Sequence, residues 1–139
     1  MGSCVEKICS EMDISREDQD AFAIESYNRA RAAQADGLFE WEITEVLHKT
    51  KKGDVSLKTD EECQKFMPDK FPTLRPAFAK TGTITAANAS KINDGACAFI
   101  MMSEDAAKAR GLAPLARVVA YEDAGVAPID FGIAPALAV

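Results

Sequence analysis

Between residues 63 and 80 the cations Lys65, Lys70, Arg75 and Lys80 are interleaved with Phe66, Phe71 and Phe78, and Pro68, Pro72 and Pro76 break up any long helix. Such a loop suits an anion bearing an aromatic or adenine group, the cations answering the charge and the rings answering a flat face. The same composition also describes a solvated loop whose phenylalanines anchor it to the core. Directly after it, Gly82-Thr83-Ile84-Thr85 and Ala86-Ala87-Asn88-Ala89-Ser90 form a run of small residues, with Asn93-Asp94-Gly95 close behind. Small side chains let a ligand reach the backbone, where carbonyls suit a cation or an amide. Tight packing of an irregular segment would use the same residues.

Nucleophilic and zinc chemistry are poorly served. The cysteines are Cys4, Cys9, Cys63 and Cys97, without a CxxC pair, and His48 is the lone histidine. The Cys4 and Cys9 spacing has no matching second pair for zinc. A nucleophilic cysteine needs a base, and one histidine in a charged segment is a poor one. The expectation is four buried or half-buried thiols in a reducing compartment.

The elements that must position these loops follow from periodicity. Met1, Val5, Ile8 and Met12 share one face of a short helix. Ser15 before Arg16-Glu17-Asp18 predicts a helix start, and Asp36-Gly37 predicts its stop; Ala23, Tyr27, Ala30 and Ala33 form its apolar stripe. The alanines predict close packing across another backbone. At Phe39, Trp41 and Ile43 the period falls to two, which predicts a strand. Lys51-Lys52-Gly53-Asp54 then turns into a second strand through Val55 and Leu57. Thr59-Asp60-Glu61-Glu62 resembles a cap, with Pro68 allowing only a short helix after it. Ala96 to Met102 is continuously apolar, as in a strand buried on both faces. Ser103 caps a helix ending at Gly111, and Leu115 to Tyr121 is the next expected strand. That order suggests a crossover unit, which cannot form a covered sheet alone.

With 139 residues, 47% hydrophobic and 27% charged, the composition fits one globular domain and excludes disordered, collagenous and membrane-spanning classes. A net charge of −6 argues against nucleic acid or an anionic membrane as partner. No run approaches the roughly 18–20 apolar residues of a membrane helix, and the N-terminus lacks a signal-peptide layout. The chain reads as intracellular. Glu6 stands where an N-myristoylation motif needs Ser or Thr. The closing Ala136-Leu137-Ala138-Val139 is apolar, which suggests a piece of a longer polypeptide.

Several motifs together carry a resemblance. Met1-Gly2 with Glu6, Ser15-Arg16-Glu17 with Gln19-Asp20, Ser26-Tyr27 and Arg29-Ala30 come first, followed by Gly82 through Ser90, Asn93-Asp94-Gly95 and Pro114-Leu115-Ala116-Arg117. These resemble the thiolases, collinearly over essentially the whole chain. The resemblance is strongest to the mitochondrial, potassium-activated, acetyl-CoA-using branch, in which Ala86-Ala87-Asn88-Ala89 and Ile129-Asp130-Phe131 recur.

The resemblance implies an α/β fold in which residues 1–92 are most of the α+β loop domain that binds CoA. Residues 93–139 would supply a strand-helix-strand piece of the core: the end of the N-terminal half and the first strand of the C-terminal half. It implies an acyl-cysteine mechanism condensing two acetyl-CoA to acetoacetyl-CoA and CoA, or the thiolytic reverse. None of the four cysteines, and not His48, matches a catalytic position, so this chain alone is expected to be inactive. The implied CoA contacts are Met1, Tyr27, Lys65, Phe66, Lys70, Phe78, Ala89 and Ser90. The implied potassium ligands are Tyr27 and the carbonyls of Ala86, Ala87 and Ala89, an oxygen-only set suited to a hard cation. Lys65 replaces an arginine and Met67 an aspartate of the family pattern, and the alignment needs a one-residue gap between Arg75 and Gly82. A lysine keeps the charge and loses the bidentate fork. No organic cofactor is implied, since CoA is substrate and product. The resemblance further implies a homotetramer, mitochondrial location with the cytoplasm as alternative, and weak or absent CoA binding by this chain alone. A longer-chain 3-ketoacyl-CoA thiolase and a non-catalytic CoA-binding or interaction module are the rival readings.

Overall fold

The computed structural model describes all of residues 1–139, as two compact units, Met1–Ala89 and Ser90–Val139. In the first unit α1 runs Gly2–Glu11 and α2 runs Arg16–Ala35. Ser15 caps α2 as its sequence predicts, its hydroxyl oxygen accepting the Asp18 amide at 3.0 Å. Glu17 and Asp18 complement the positive end of the helix.

Both helices end the same way. After α2, Gly37 takes φ +69°, so that Leu38 N–H reaches the Ala33 carbonyl at 3.0 Å and Gly37 N–H reaches Gln34 at 3.2 Å. After α1, Asp13 takes the left-handed position at φ 52°, and Ile14 N–H bonds back to the Cys9 carbonyl at 2.9 Å.

The expected strand over Phe39, Trp41 and Ile43 is absent. Bonds from Glu40 to Gly37 and from Glu42 and Ile43 to Phe39 wind residues 36–42 into consecutive turns, because short-range carbonyls satisfy the amides that a strand would leave for a partner. The hairpin forms further along the chain, with β1 at Val46–Thr50 antiparallel to β2 at Gly53–Leu57. Its loop is Lys51-Lys52, and Thr50 closes it by donating to the Gly53 carbonyl at 2.7 Å. Every hairpin residue is exposed.

The small core of this unit comprises Ile8 and Cys9 of α1, Cys63, Phe71, Ile84 and the fully buried Thr85. Helix α2 packs its Ala23, Tyr27, Ala30 stripe on two 3-10 turns, Glu62–Lys65 and Pro68–Thr73. The second turn contains Pro72, which fixes φ and donates no amide, and so keeps it short. Before the first turn Asp60 Oδ1 accepts the Glu62 amide at 2.8 Å in a local Asx turn, while Glu61 at the N-cap position makes no side-chain cap bond.

In the second unit, Ser103 caps α3 (Glu104–Ala109), accepting the Ala106 amide at 3.2 Å, and Gly111 follows the helix as predicted. The two flanking strands expected here do not form. Residues 96–102 and 115–121 pair with no strand, and Phe99, Ile100, Val119 and Tyr121 are solvent-facing. Their apolar character records what they suit, but a strand needs a second strand to pair with. A 3-10 turn, Pro128–Ile133, leads into α4 at Ala134–Ala138. No helix is long and apolar enough to cross a membrane.

Candidate functional site

Tyr27 lies in the second half of α2, on the face that meets the aromatic loop. Its ring stacks on Phe66, with centroids 4.9 Å apart and planes 15° from parallel, and meets Phe71 edge-on at 6.3 Å. Phe66 and Phe71 are also edge-to-face at 5.9 Å. Such geometries follow the ring quadrupole, the positive edge of one ring meeting the negative face of another. The Arg31 guanidinium sits 5.6 Å above Phe66, one helical turn beyond Tyr27. Two of the loop's phenylalanines are thus anchors, and the arginine over Phe66 was not foreseen from the sequence.

The Tyr27 hydroxyl donates to Glu62 Oε1 at 2.8 Å. Burial first, and the Glu62 carboxylate second, push its pKa up to about 12. A neutral phenol whose proton is committed to Glu62 keeps its oxygen lone pairs for another donor or a cation. Lys65 Nζ lies 3.3 Å from the other Glu62 oxygen, while Lys70 is exposed on the Pro68–Thr73 turn. An open cleft of about 340 Å³ adjoins this cluster, lined by Arg31, Gln34, Ala35, Cys63, Gln64 and Phe66. The Cys63 thiol is pushed up by burial and by Asp60, opposite to what a nucleophile requires. Cys9 is likewise buried and Cys4 half-buried, but Cys97 is exposed, against expectation, because its segment is unpaired. His48 lies on the exposed hairpin, and nowhere do three His, Cys, Asp or Glu side chains converge on a metal position.

The small-residue run folds as a tight turn around Thr85. Thr85 N–H donates to Asn88 Oδ1 at 2.7 Å, the Thr85 hydroxyl accepts the Ala87 amide at 3.2 Å, and Ala89 N–H returns to the Thr85 carbonyl at 3.0 Å. Glu6 of α1 accepts the amides of Thr83 and Ile84 at 2.9 and 3.0 Å. Gly82 makes room for it, since a Cβ there would overlap Glu6 Oε1. Gln19 of α2 donates to the Thr83 hydroxyl at 2.8 Å. Asn88 donates to Asp20, two helical turns before Tyr27 and so on the same face of α2.

Tyr27, Lys65 and Phe66 therefore form one cluster, and Ala86, Ala87 and Ala89 lie in one turn attached to the same helix. The Phe78 ring is half-exposed and lies against Gly2, next to the exposed Met1 at the start of α1. Ser90 is exposed and opens the second unit. The Tyr27 phenol and the carbonyls of Ala86, Ala87 and Ala89 are neutral oxygens, the donor type that a hard cation takes. Glu6, Gln19, Asp20 and Thr85 hold this turn, and Arg16 ties Asp20 to the aromatic loop; the sequence reading met all five as motif residues and gave none of them this role. Beyond their place in the quoted motifs, the physical signal for that role was an asparagine among alanines and an Arg16–Asp20 pair at helical spacing.

This architecture defines a class. Residues 1–105 match the family model "Thiolase, N-terminal domain", and the chain belongs to the thiolase family. Among individual proteins, it is 50% identical over its whole length to the mitochondrial acetyl-CoA acetyltransferase of Danio rerio, covering 34% of that protein. A thiolase from Ascaris suum solved in complex with coenzyme A matches 99% of the chain at 46% identity and TM-score 0.87, over 35% of its own length. Human mitochondrial 3-ketoacyl-CoA thiolase matches 98% at 38% identity and the same TM-score, over 36% of its length. The fold is thus a segment of the α/β thiolase fold, and the chain spans about a third of the length of the relatives it matches.

Proposed function

We propose that this chain is the CoA-contacting part of an acetyl-CoA acetyltransferase, which condenses two acetyl-CoA to acetoacetyl-CoA and CoA, or runs the reverse thiolysis, through an acyl-cysteine. The observation that carries the reading is the 50% identity along the whole chain to an enzyme of that name. The coenzyme A complex of the Ascaris relative supports CoA as the ligand. Residues 1–92 are the loop domain, and 93–139 belong to the core, where the apolar segments 96–102 and 115–121 pair with strands of the rest of the enzyme.

In this reading Lys65 and Lys70 attract the CoA phosphates, Phe66 offers a flat face to the nucleotide, Met1, Phe78, Ala89 and Ser90 line the pantetheine path, and Tyr27 is a further CoA contact. A potassium ion held by Tyr27, Ala86, Ala87 and Ala89 would stiffen the turn when bound. The chemistry itself is done by residues outside this chain, which alone is inactive. The mitochondrial name of the Danio relative supports a mitochondrial location for the parent; the homotetramer and the role in lipid and ketone-body metabolism rest on the family resemblance alone.

The second reading, a longer-chain 3-ketoacyl-CoA thiolase, draws on the match to the human enzyme, whose backbone fits equally well at lower identity. One experiment separates them: replace the matching third of the Danio enzyme with residues 1–139 and assay thiolysis with and without potassium. Potassium-stimulated turnover of acetoacetyl-CoA above longer 3-ketoacyl-CoA supports the first reading. Preference for the longer substrate with indifference to potassium supports the second, and a folded graft inactive on both refutes the assignment.

A further inference from the structure

Asp20 is the buried charged residue of the core, and both of its oxygens are engaged. Oδ2 accepts Arg16 Nε at 2.7 Å, and Oδ1 accepts Asn88 Nδ2 at 2.9 Å. Arg16 directs its remaining donors to the carbonyls of Leu74, at 3.2 Å, and Phe71. Asn88 directs its second amide hydrogen to the Thr83 carbonyl at 3.1 Å and accepts from Thr85 with its oxygen. One carboxylate therefore ties two separate segments to the same turn of α2. One is the end of the Pro68–Thr73 turn, which carries Lys70 and Phe71; the other is the turn that carries Ala86, Ala87 and Ala89.

We propose that Asp20 is a positioning residue for the CoA site, setting both ligand-bearing turns at once through Arg16 and Asn88. The inference rests on reading those turns as CoA contacts. An apolar cluster of the same volume would hold the segments together at least as firmly, since burying a charge costs solvation that only matched donors return. What the charged junction adds is direction. A planar guanidinium and a carboxylate with two fixed oxygens admit one relative orientation, whereas apolar contacts slide.

The tether is tested without CoA, by hydrogen exchange on the full chain. Asp20→Ala is expected to raise exchange about tenfold or more in residues 71–74 and 85–89 together, leaving the hairpin unchanged. Asp20→Asn keeps an acceptor for Asn88 and turns an amide toward Arg16, so exchange rises in 71–74 while 85–89 stays protected. That split carries the test if Asp20→Ala unfolds. For Asp20→Asn, unchanged exchange in both turns or a uniform rise over the whole chain overturns the proposal, as does fast exchange of both turns before any substitution. In the grafted Danio enzyme, Asp20→Asn raises KM for CoA about fivefold with kcat within about twofold. A loss of kcat with KM unmoved overturns a positioning role. A graft without thiolysis refutes the CoA reading instead and leaves exchange to decide the tether.

Discussion

Tyr27 offers the sharpest test of how the site is held, because its ring and its hydroxyl do separable work. Tyr27→Phe keeps the stack on Phe66 and the edge contact with Phe71 and removes only the bond to Glu62. A hydrogen bond to a charged partner is worth about 1.5–3 kcal/mol, but half-buried Glu62 keeps Lys65 at 3.3 Å and access to water, so the expected cost is about 1 kcal/mol. Tyr27→Ala removes both aromatic pairs and the half-buried ring as well, for about 3 kcal/mol. Urea unfolding followed by circular dichroism gives both values. Equal losses would mean the ring contributes nothing, and no loss in Tyr27→Phe would mean the Glu62 bond is exchanged freely for water. The pH profile supplies an independent sign. The unfolded phenol releases its proton near 10.0 and the folded one at about 12, so between those values the native state binds the extra proton. This stability is fully present below pH 10 and is lost as pH rises toward 12, a part of the alkaline decline that Tyr27→Phe removes while the part from the raised Cys63 thiol remains.

Three further outcomes follow from local geometry. Ser15→Ala removes the oxygen that accepts the Asp18 amide, lowers stability by about 1 kcal/mol in urea and speeds exchange in the first turn of α2. Gly82→Ala drives the Glu6 carboxylate away from the amides of Thr83 and Ile84, costs about 2 kcal/mol and exposes those amides to exchange; unchanged protection would mean that Glu6 is not their partner. Cys97, exposed, reacts with iodoacetamide at least about tenfold faster than buried Cys63, whose thiol is pushed up. Equal rates, read by peptide mass spectrometry, would contradict the burial described for Cys63.

What the sequence disclosed was what neighbours in the chain decide. Ser15, Ser103, Gly37 and Gly111 mark helix ends through bonds spanning a few residues, and all four act as expected. The hairpin turn at Lys51-Lys52 was legible for the same reason. Alternation misled at Phe39, Trp41 and Ile43, because turn bonds compete with strand pairing and the pattern carries no information about a partner. Residues 96–102 and 115–121 show the converse, apolar enough for a covered sheet yet unpaired. The aromatic loop and the small-residue turn were both singled out by composition. The Asp20 junction between them was not, because a contact spanning 68 residues leaves no mark in local spacing.

The central claim is that this segment supplies the CoA contacts of a thiolase, and the most direct test is the KM for CoA in thiolysis by the grafted Danio enzyme. Replacing Lys70 or Ser90 by Ala is predicted to raise that KM about fivefold to tenfold with kcat nearly unchanged, as the loss of one phosphate or pantetheine contact requires. A KM that neither substitution moves would place CoA elsewhere and contradict the account.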